Sequence, residues 1–180
     1  MTRQVLKKGI KRGIHFLAAV CFLFIATAFS SYAADGTVQV QLDVKKAGPR
    51  AVESLTERGV LRDYQFAWTN MARAFEFSSP DLLEGAFSGD AKQELRQTVS
   101  SQQRSHITRR YVDQSHQVEA VFYAPEGDVM ELHDTAQYQL QILDGDKTVH
   151  DEHVVVHYIV LMTPAADRWV IRELQAVPQF

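Results

Sequence analysis

Apolar residues are distributed along this chain in three regimes. From Phe16 to Phe29 they form a nearly unbroken run. Over 37–44 they alternate, with Val38, Val40, Leu42 and Val44 against Thr37, Gln39, Gln41 and Asp43, which predicts a half-buried strand. Gly48-Pro49 ends it. The spacing then changes to three and four. Leu61, Tyr64, Trp68, Met71 and Phe75 share one stripe of a helix that runs to about Phe75. Gly59 divides a first turn or two, around Val52 and Leu55, from this main helix.

Ser79-Pro80-Asp81 carries the marks of a helix start: a capping hydroxyl, proline in the first position and an acid in the first turn. The short helix bears Leu82, Leu83 and Phe87 and stops at Ser88-Gly89. Asp90, with Gln93 in capping-box spacing, begins another that turns Leu95 and Val99 inward. The polar run 100–104 closes the helical half. Strand patterns follow. Val118, Ala120 and Phe122 alternate with Glu119, Val121 and Tyr123, and Pro125–Asp128 makes a turn. Ala136, Tyr138, Leu140 and Ile142 alternate with Gln137, Gln139 and Gln141, a strand with one wet face. Asp144-Gly145 marks a hairpin into a long valine-rich strand over 148–162. Pro164–Asp167 turns into a last strand over 169–177. Helices segregated from consecutive strands make an α+β domain with an antiparallel sheet, spanning 35–180, with 37–44 as an added edge strand.

The first segment changes the setting of this domain. Arg3, Lys7, Lys8, Lys11 and Arg12 precede the apolar run, with no acid among them. Ser31 and Ala33 then stand at the positions a signal peptidase reads. Residues 1–34 are therefore a signal peptide or an N-terminal membrane anchor, with the remainder outside the cytoplasm. The destination is periplasmic, secreted or membrane-anchored, and membrane contact runs only through 16–34 if the segment is uncleaved.

Charge and cysteine usage narrow the classes of function. The chain has 19 basic and 22 acidic residues, and five of the basic ones lie in 1–34. Residues 35–180 thus carry 14 against 22, a net charge of −8. Nucleic acid, which needs a cationic face, is excluded as a partner. Cys21 is the single cysteine and lies in the apolar run, so residues 35–180 hold no disulfide and no thiolate.

The helical first half, the antiparallel strands and the closing Arg168-Trp169-Val170-Ile171-Arg172 resemble the nuclear transport factor two-like (NTF2-like) superfamily over about residues 60–177. That superfamily includes the SnoaL-like and ketosteroid-isomerase-like folds. The resemblance implies a curved sheet forming a cone, with an apolar pocket between helix and sheet. Tyr64, Trp68, Met71 and Tyr138 would line that pocket. It also implies that function is open, because such domains serve as enzymes, as ligand binders and as extracytoplasmic parts of secretion and division machines.

Chemistry-bearing residues are few. His150, Asp151, Glu152, His153 and His157 suggest a metal site at first sight. The β-branched Val154-Val155-Val156 makes the segment a strand. On a strand His153 and His157 stand about 13 Å apart, far beyond two zinc–nitrogen bonds of about 2 Å. No metal and no cofactor are expected. For catalysis the candidates are Glu173, expected beside Trp169 and Ile171 on one face, and His157. A carboxylate against apolar surface has the raised pKa that a general acid or base needs. Arg104, Arg109 and Arg110 form a small basic cluster at the helix-to-sheet junction.

Three functions remain in view. The first is an exported, non-enzymatic domain binding a protein partner or a small apolar ligand. The second is an isomerase, cyclase or hydrolase working in the cone. The third is a membrane-tethered scaffold subunit of an envelope machine, resembling the inner-membrane scaffold proteins of type IV secretion systems. A deep pocket with Glu173 or His157 turned inward favours the enzyme or ligand binder; a filled core favours an interaction domain.

Overall fold

In the computed structural model, residues 38–180 are described, and they form an α+β fold. The expected signal or anchor segment lies outside the described residues. Among the described residues no helix is long and apolar enough to cross a membrane. Strand β1 (Gln39–Asp43) leads to helix α1 (Ser54–Glu76), a single 3₁₀ turn (Pro80–Leu83) and helix α2 (Gly89–Ser105). Four strands follow: β2 (Ile107–Tyr123), β3 (Met130–Asp144), β4 (Lys147–Ala165) and β5 (Arg168–Val177). They form one sheet in the order β1-β2-β3-β4-β5. β2 to β5 are antiparallel neighbours, but β1 pairs parallel to β2, so the sheet is mixed rather than wholly antiparallel. The reason is the connection. Both helices intervene between β1 and β2, and a crossover of that length returns the chain in the same direction.

Helix α1 is continuous through Gly59, where a break was expected. A Cβ at that position would stand 3.8 Å from the Trp169 ring, so the glycine face of the helix lies against β5. A glycine in a helix interior costs about 1 kcal/mol, too little to divide a helix whose buried stripe begins at the next residue, Val60. Val60, Tyr64, Ala67, Trp68, Met71, Ala74 and Phe75 are all buried along that stripe. The expected caps differ as well. Ser79 makes no side-chain capping bond, and Pro80–Leu83 is 3₁₀. α2 begins at Gly89, ahead of Asp90, with Ser88 at its N-cap and no side-chain capping bond. The polar run 100–104 is helical to Ser105, and His106 ends it in the left-handed region at φ 56°. Gln102 in that run is buried and donates through Nε2 to the Phe75 carbonyl and the Ser78 hydroxyl, tying α2 to the end of α1.

Two of the four register shifts in the sheet turn side chains at expected site or core positions away from the face that regular alternation gives them. In β2 the register slips between Ala120 and Phe122. Val118, Ala120 and Tyr123 are therefore buried while Phe122 is 38% exposed, where simple alternation turned Phe122 inward with Ala120. In β5 it slips between Glu173 and Ile171, leaving Arg172 as the extra residue. A bulge inserts one residue and reverses the alternation beyond it.

Candidate functional site

Each side chain of the helix-facing sheet surface can be placed from the register. Val118, Asp134 and Tyr158 stand in one rank across β2, β3 and β4, and His116, Ala136 and Val156 stand in the next. This brings a carboxyl group and an imidazole to the middle of the apolar face, under α1. Asp134 is 0% exposed and His116 1%. Oδ2 of Asp134 accepts a hydrogen bond from the Tyr64 hydroxyl at 2.7 Å. The same oxygen lies 2.7 Å from Nδ1 of His116. The ring of Trp68 lies on the imidazole, with centroids 4.3 Å apart.

This cluster is only partly satisfied. Oδ1 of Asp134, Nε2 of His116 and Nε1 of Trp68 are buried and have no hydrogen-bond partner among the described residues. An unsatisfied buried group costs about 1–3 kcal/mol. Burial, with the Asp134 carboxyl beside it, holds the Tyr64 hydroxyl well above the ordinary tyrosine range. Farther along the same face, Tyr138 and Tyr158 meet through their hydroxyls at 3.3 Å. Burial raises both of these hydroxyls, and it pushes Tyr111 up to about 12. The rings continue one another: Trp68–Tyr158 at 5.4 Å, Tyr111–Tyr138 at 5.1 Å, Phe75–Tyr111 at 5.5 Å.

The residues expected to line a pocket, Tyr64, Trp68, Met71 and Tyr138, are thus on the helix-facing side and at most 5% exposed. They are packed into core and ring contacts. The two expected acid–base residues lie elsewhere. Glu173 pairs with Leu161 on the far face of the sheet and is exposed, because the Arg172 bulge turns Leu174 inward opposite Val160 in its place. His157 is opposite Thr135, also on the far face, and its Nδ1 lies 3.1 Å from the threonine hydroxyl. His153 stands opposite Gln139. Among the described residues no group of three His, Cys, Asp or Glu side chains is placed to hold a metal. The basic cluster is divided among separate partners: Arg110 bonds Glu76 at 3.0 Å, Arg104 bonds the Ser101 hydroxyl at 2.8 Å, and Arg109 lies 5.7 Å from the Phe75 ring centre.

A groove of about 870 Å³ lies along β1 and wraps that edge of the sheet, from the far face round to the start of α1. On the far face Gln41, Asp43, Gln117, Glu119, His133, Thr135 and Phe180 line it; round the edge it reaches Leu42, Val44 and Val118 of the core side and Glu57 of α1. Phe180 stacks on His133 at 4.4 Å with ring planes 10° apart, and presents its edge to His157 at 5.1 Å.

No protein-family model and no curated protein matches the chain in sequence. A solved structure does match in fold. The intermembrane-space region of the chloroplast protein ARC6 superposes with a TM-score of 0.56 at 12% identity, over 72% of this chain and 98% of that region. Rv3472, a protein of unknown function from Mycobacterium tuberculosis, aligns over 71% of this chain and 78% of its own at 14% identity, with a TM-score of 0.42. At 12% identity the likeness to the ARC6 region carries the fold and nothing of the chemistry.

Proposed function

We propose that this is an exported, non-enzymatic domain of the NTF2-like superfamily that binds a protein partner in the cell envelope or outside it. One observation carries the reading. The side of the sheet where a cone pocket would open is occupied by its own side chains, from Trp68 at 0% exposure to Tyr138 at 5%. A small apolar ligand needs volume there; a protein partner does not. The charge asymmetry of residues 1–34 supports export, and the acidic composition of 35–180 supports a partner other than nucleic acid. The reading is tested by crosslinking in the native host, followed by purification of the full chain at its natural abundance. A protein adduct of defined stoichiometry is expected. A chain without adduct that releases a small molecule into organic solvent overturns it in favour of the ligand-binding alternative.

A second reading rests on the Tyr64–Asp134–His116 cluster. A carboxyl group shared by a phenol and an imidazole, with Oδ1 and Nε2 unpartnered, is the equipment of proton transfer if a substrate enters the cone. A turnover activity that is lost in Asp134→Asn with the circular dichroism unchanged would replace the binding reading with the enzymatic one.

A further inference from the structure

The groove along β1 already contains an aromatic side chain at its far-face end. Beyond β5 the chain leaves the sheet edge, crosses β4 and sets the Phe180 ring between two imidazoles, flat on His133 and edge-on to His157. The contact is partial, since Phe180 remains 54% exposed. The groove it borders is large for one ring, at about 870 Å³, and runs from Phe180 across β3 and β2 to β1. Its charged lining is mostly acidic: Asp43, Glu57 and Glu119 against Lys45. Asp43 lies 3.7 Å from Lys45, and Glu119 bonds Lys46 at 2.7 Å, whereas Glu57 has no ion-pair partner among the described residues.

We infer that this groove is a docking site for an extended segment of a partner protein that carries an aromatic side chain flanked by lysines or arginines, and that Phe180 occupies the aromatic position in cis. The inference rests on the protein-binding reading and names the surface and the chemistry of that partner. The His133–His157 slot supplies a stacking surface for a planar ring. Of the carboxylates along the groove, Glu57 at the start of α1 is the one without an ion-pair partner among the described residues, and it complements a cationic residue of the incoming segment, while Asp43 and Glu119 can exchange Lys45 and Lys46 for the segment's own cations. A half-exposed ring held by two contacts is easily displaced. It lowers the apparent affinity of an incoming segment by the fraction of time the slot is filled.

The probe is a fluorescein-labelled peptide, Lys-Lys-Gly-Phe-Gly-Lys-Lys, titrated with the full-length chain and read by anisotropy. Phe180→Ala should tighten binding by about threefold or more, because the slot is then vacant. Glu57→Gln should weaken it, and the same peptide with alanine for phenylalanine should bind about tenfold less tightly. Equal affinity of wild type and Phe180→Ala overturns the inference, as does binding insensitive to Glu57 or to the peptide's ring. Both protein substitutions lie at the surface, so loss of the fold does not confuse the result. The crosslinking test separates the two claims. A native partner together with an inert groove leaves the binding reading standing and removes this site; a responsive groove with no native partner does the reverse.

Discussion

Tyr64 and Asp134, seventy positions apart in the chain, are joined by a 2.7 Å hydrogen bond at the centre of the core. The bond runs from the middle of α1 to the middle of β3, and His116 of β2 reaches the same carboxyl oxygen. Three elements that the chain forms separately are thereby fixed in one register. Apolar packing alone would tolerate a helix rotated or shifted by a residue. A buried carboxyl with two specific partners does not, since misplacement would leave all three buried groups without those bonds.

Replacing Asp134 should therefore reveal a polar contribution on top of packing. Asp134→Ala leaves the Tyr64 hydroxyl and His116 Nδ1 unpaired, at about 1–3 kcal/mol for each buried group. We expect a loss of about 2–5 kcal/mol in chemical denaturation. Asp134→Asn retains an acceptor and should cost less. The double variant Tyr64→Phe/Asp134→Ala should cost less than the sum of its single changes, as coupled partners do. Additive costs would mean that the two side chains do not interact.

Alkali should unfold this domain through its tyrosines. Burial raises the Tyr64, Tyr111 and Tyr158 hydroxyls, with Tyr111 at about 12. An unfolded tyrosine titrates near 10. Between those values the unfolded chain releases protons that the folded one keeps, so stability is full below pH 10 and falls as pH rises above it. Each such group contributes a slope approaching 1.4 kcal/mol per pH unit within its window. Tyr111→Phe should reduce the slope of unfolding free energy between about pH 10.5 and 11.5 by nearly that amount. An unchanged slope would show that Tyr111 titrates normally and is open to solvent.

The turn between β2 and β3 offers a matched pair of glycine substitutions. Gly127 has φ +80°, and a Cβ there would stand 2.6 Å from Nη1 of Arg50 and 3.1 Å from the Tyr123 hydroxyl. Arg50 has little freedom to withdraw, being bonded to Glu53 at 2.7 Å and to the Pro125 carbonyl at 3.3 Å. Gly145, in the β3–β4 hairpin, has φ +59° but open space around it. Gly145→Ala should cost about 1–2 kcal/mol of backbone strain. Gly127→Ala should cost more, by the displacement of Arg50. Equal melting temperatures for the two variants would show that Arg50 yields freely.

The element order, the apolar stripe of α1 and the helix-facing positions of β3 follow from periodicity, because a side chain on a regular element has its direction fixed by spacing alone. Tyr64, Trp68 and Met71 were legible for this reason. Asp134 and His116 were not singled out, although the signal was present. Extending the alternation of Ala136 and Tyr138 back by two positions reaches Asp134, and extending that of Val118 and Ala120 reaches His116. A polar residue in an apolar register reads as a strand end when only apolar positions are counted. The bulges are a different matter. Nothing in Val121-Phe122 or Arg172-Glu173 announces an extra residue, since a bulge is selected by how the whole sheet closes on its helices. That is why Phe122 and Glu173 were turned the wrong way.

The Arg172 bulge can be checked by comparing adjacent residues. With regular alternation Glu173 would share the buried face of Ile171, and Leu174 would lie outside. In the structure Leu174 faces Val160 and packs against the core, while Glu173 is exposed opposite Leu161. Leu174→Ala should therefore cost about 2 kcal/mol, at the low end for a leucine because the side chain is only partly buried. Glu173→Ala should remain within about 0.5 kcal/mol of the parent, as surface changes do. Urea denaturation of the two variants beside the wild type decides it. A larger loss for Glu173→Ala than for Leu174→Ala would place the carboxylate inside the sheet, remove the bulge from β5 and restore Glu173 as an inward acid.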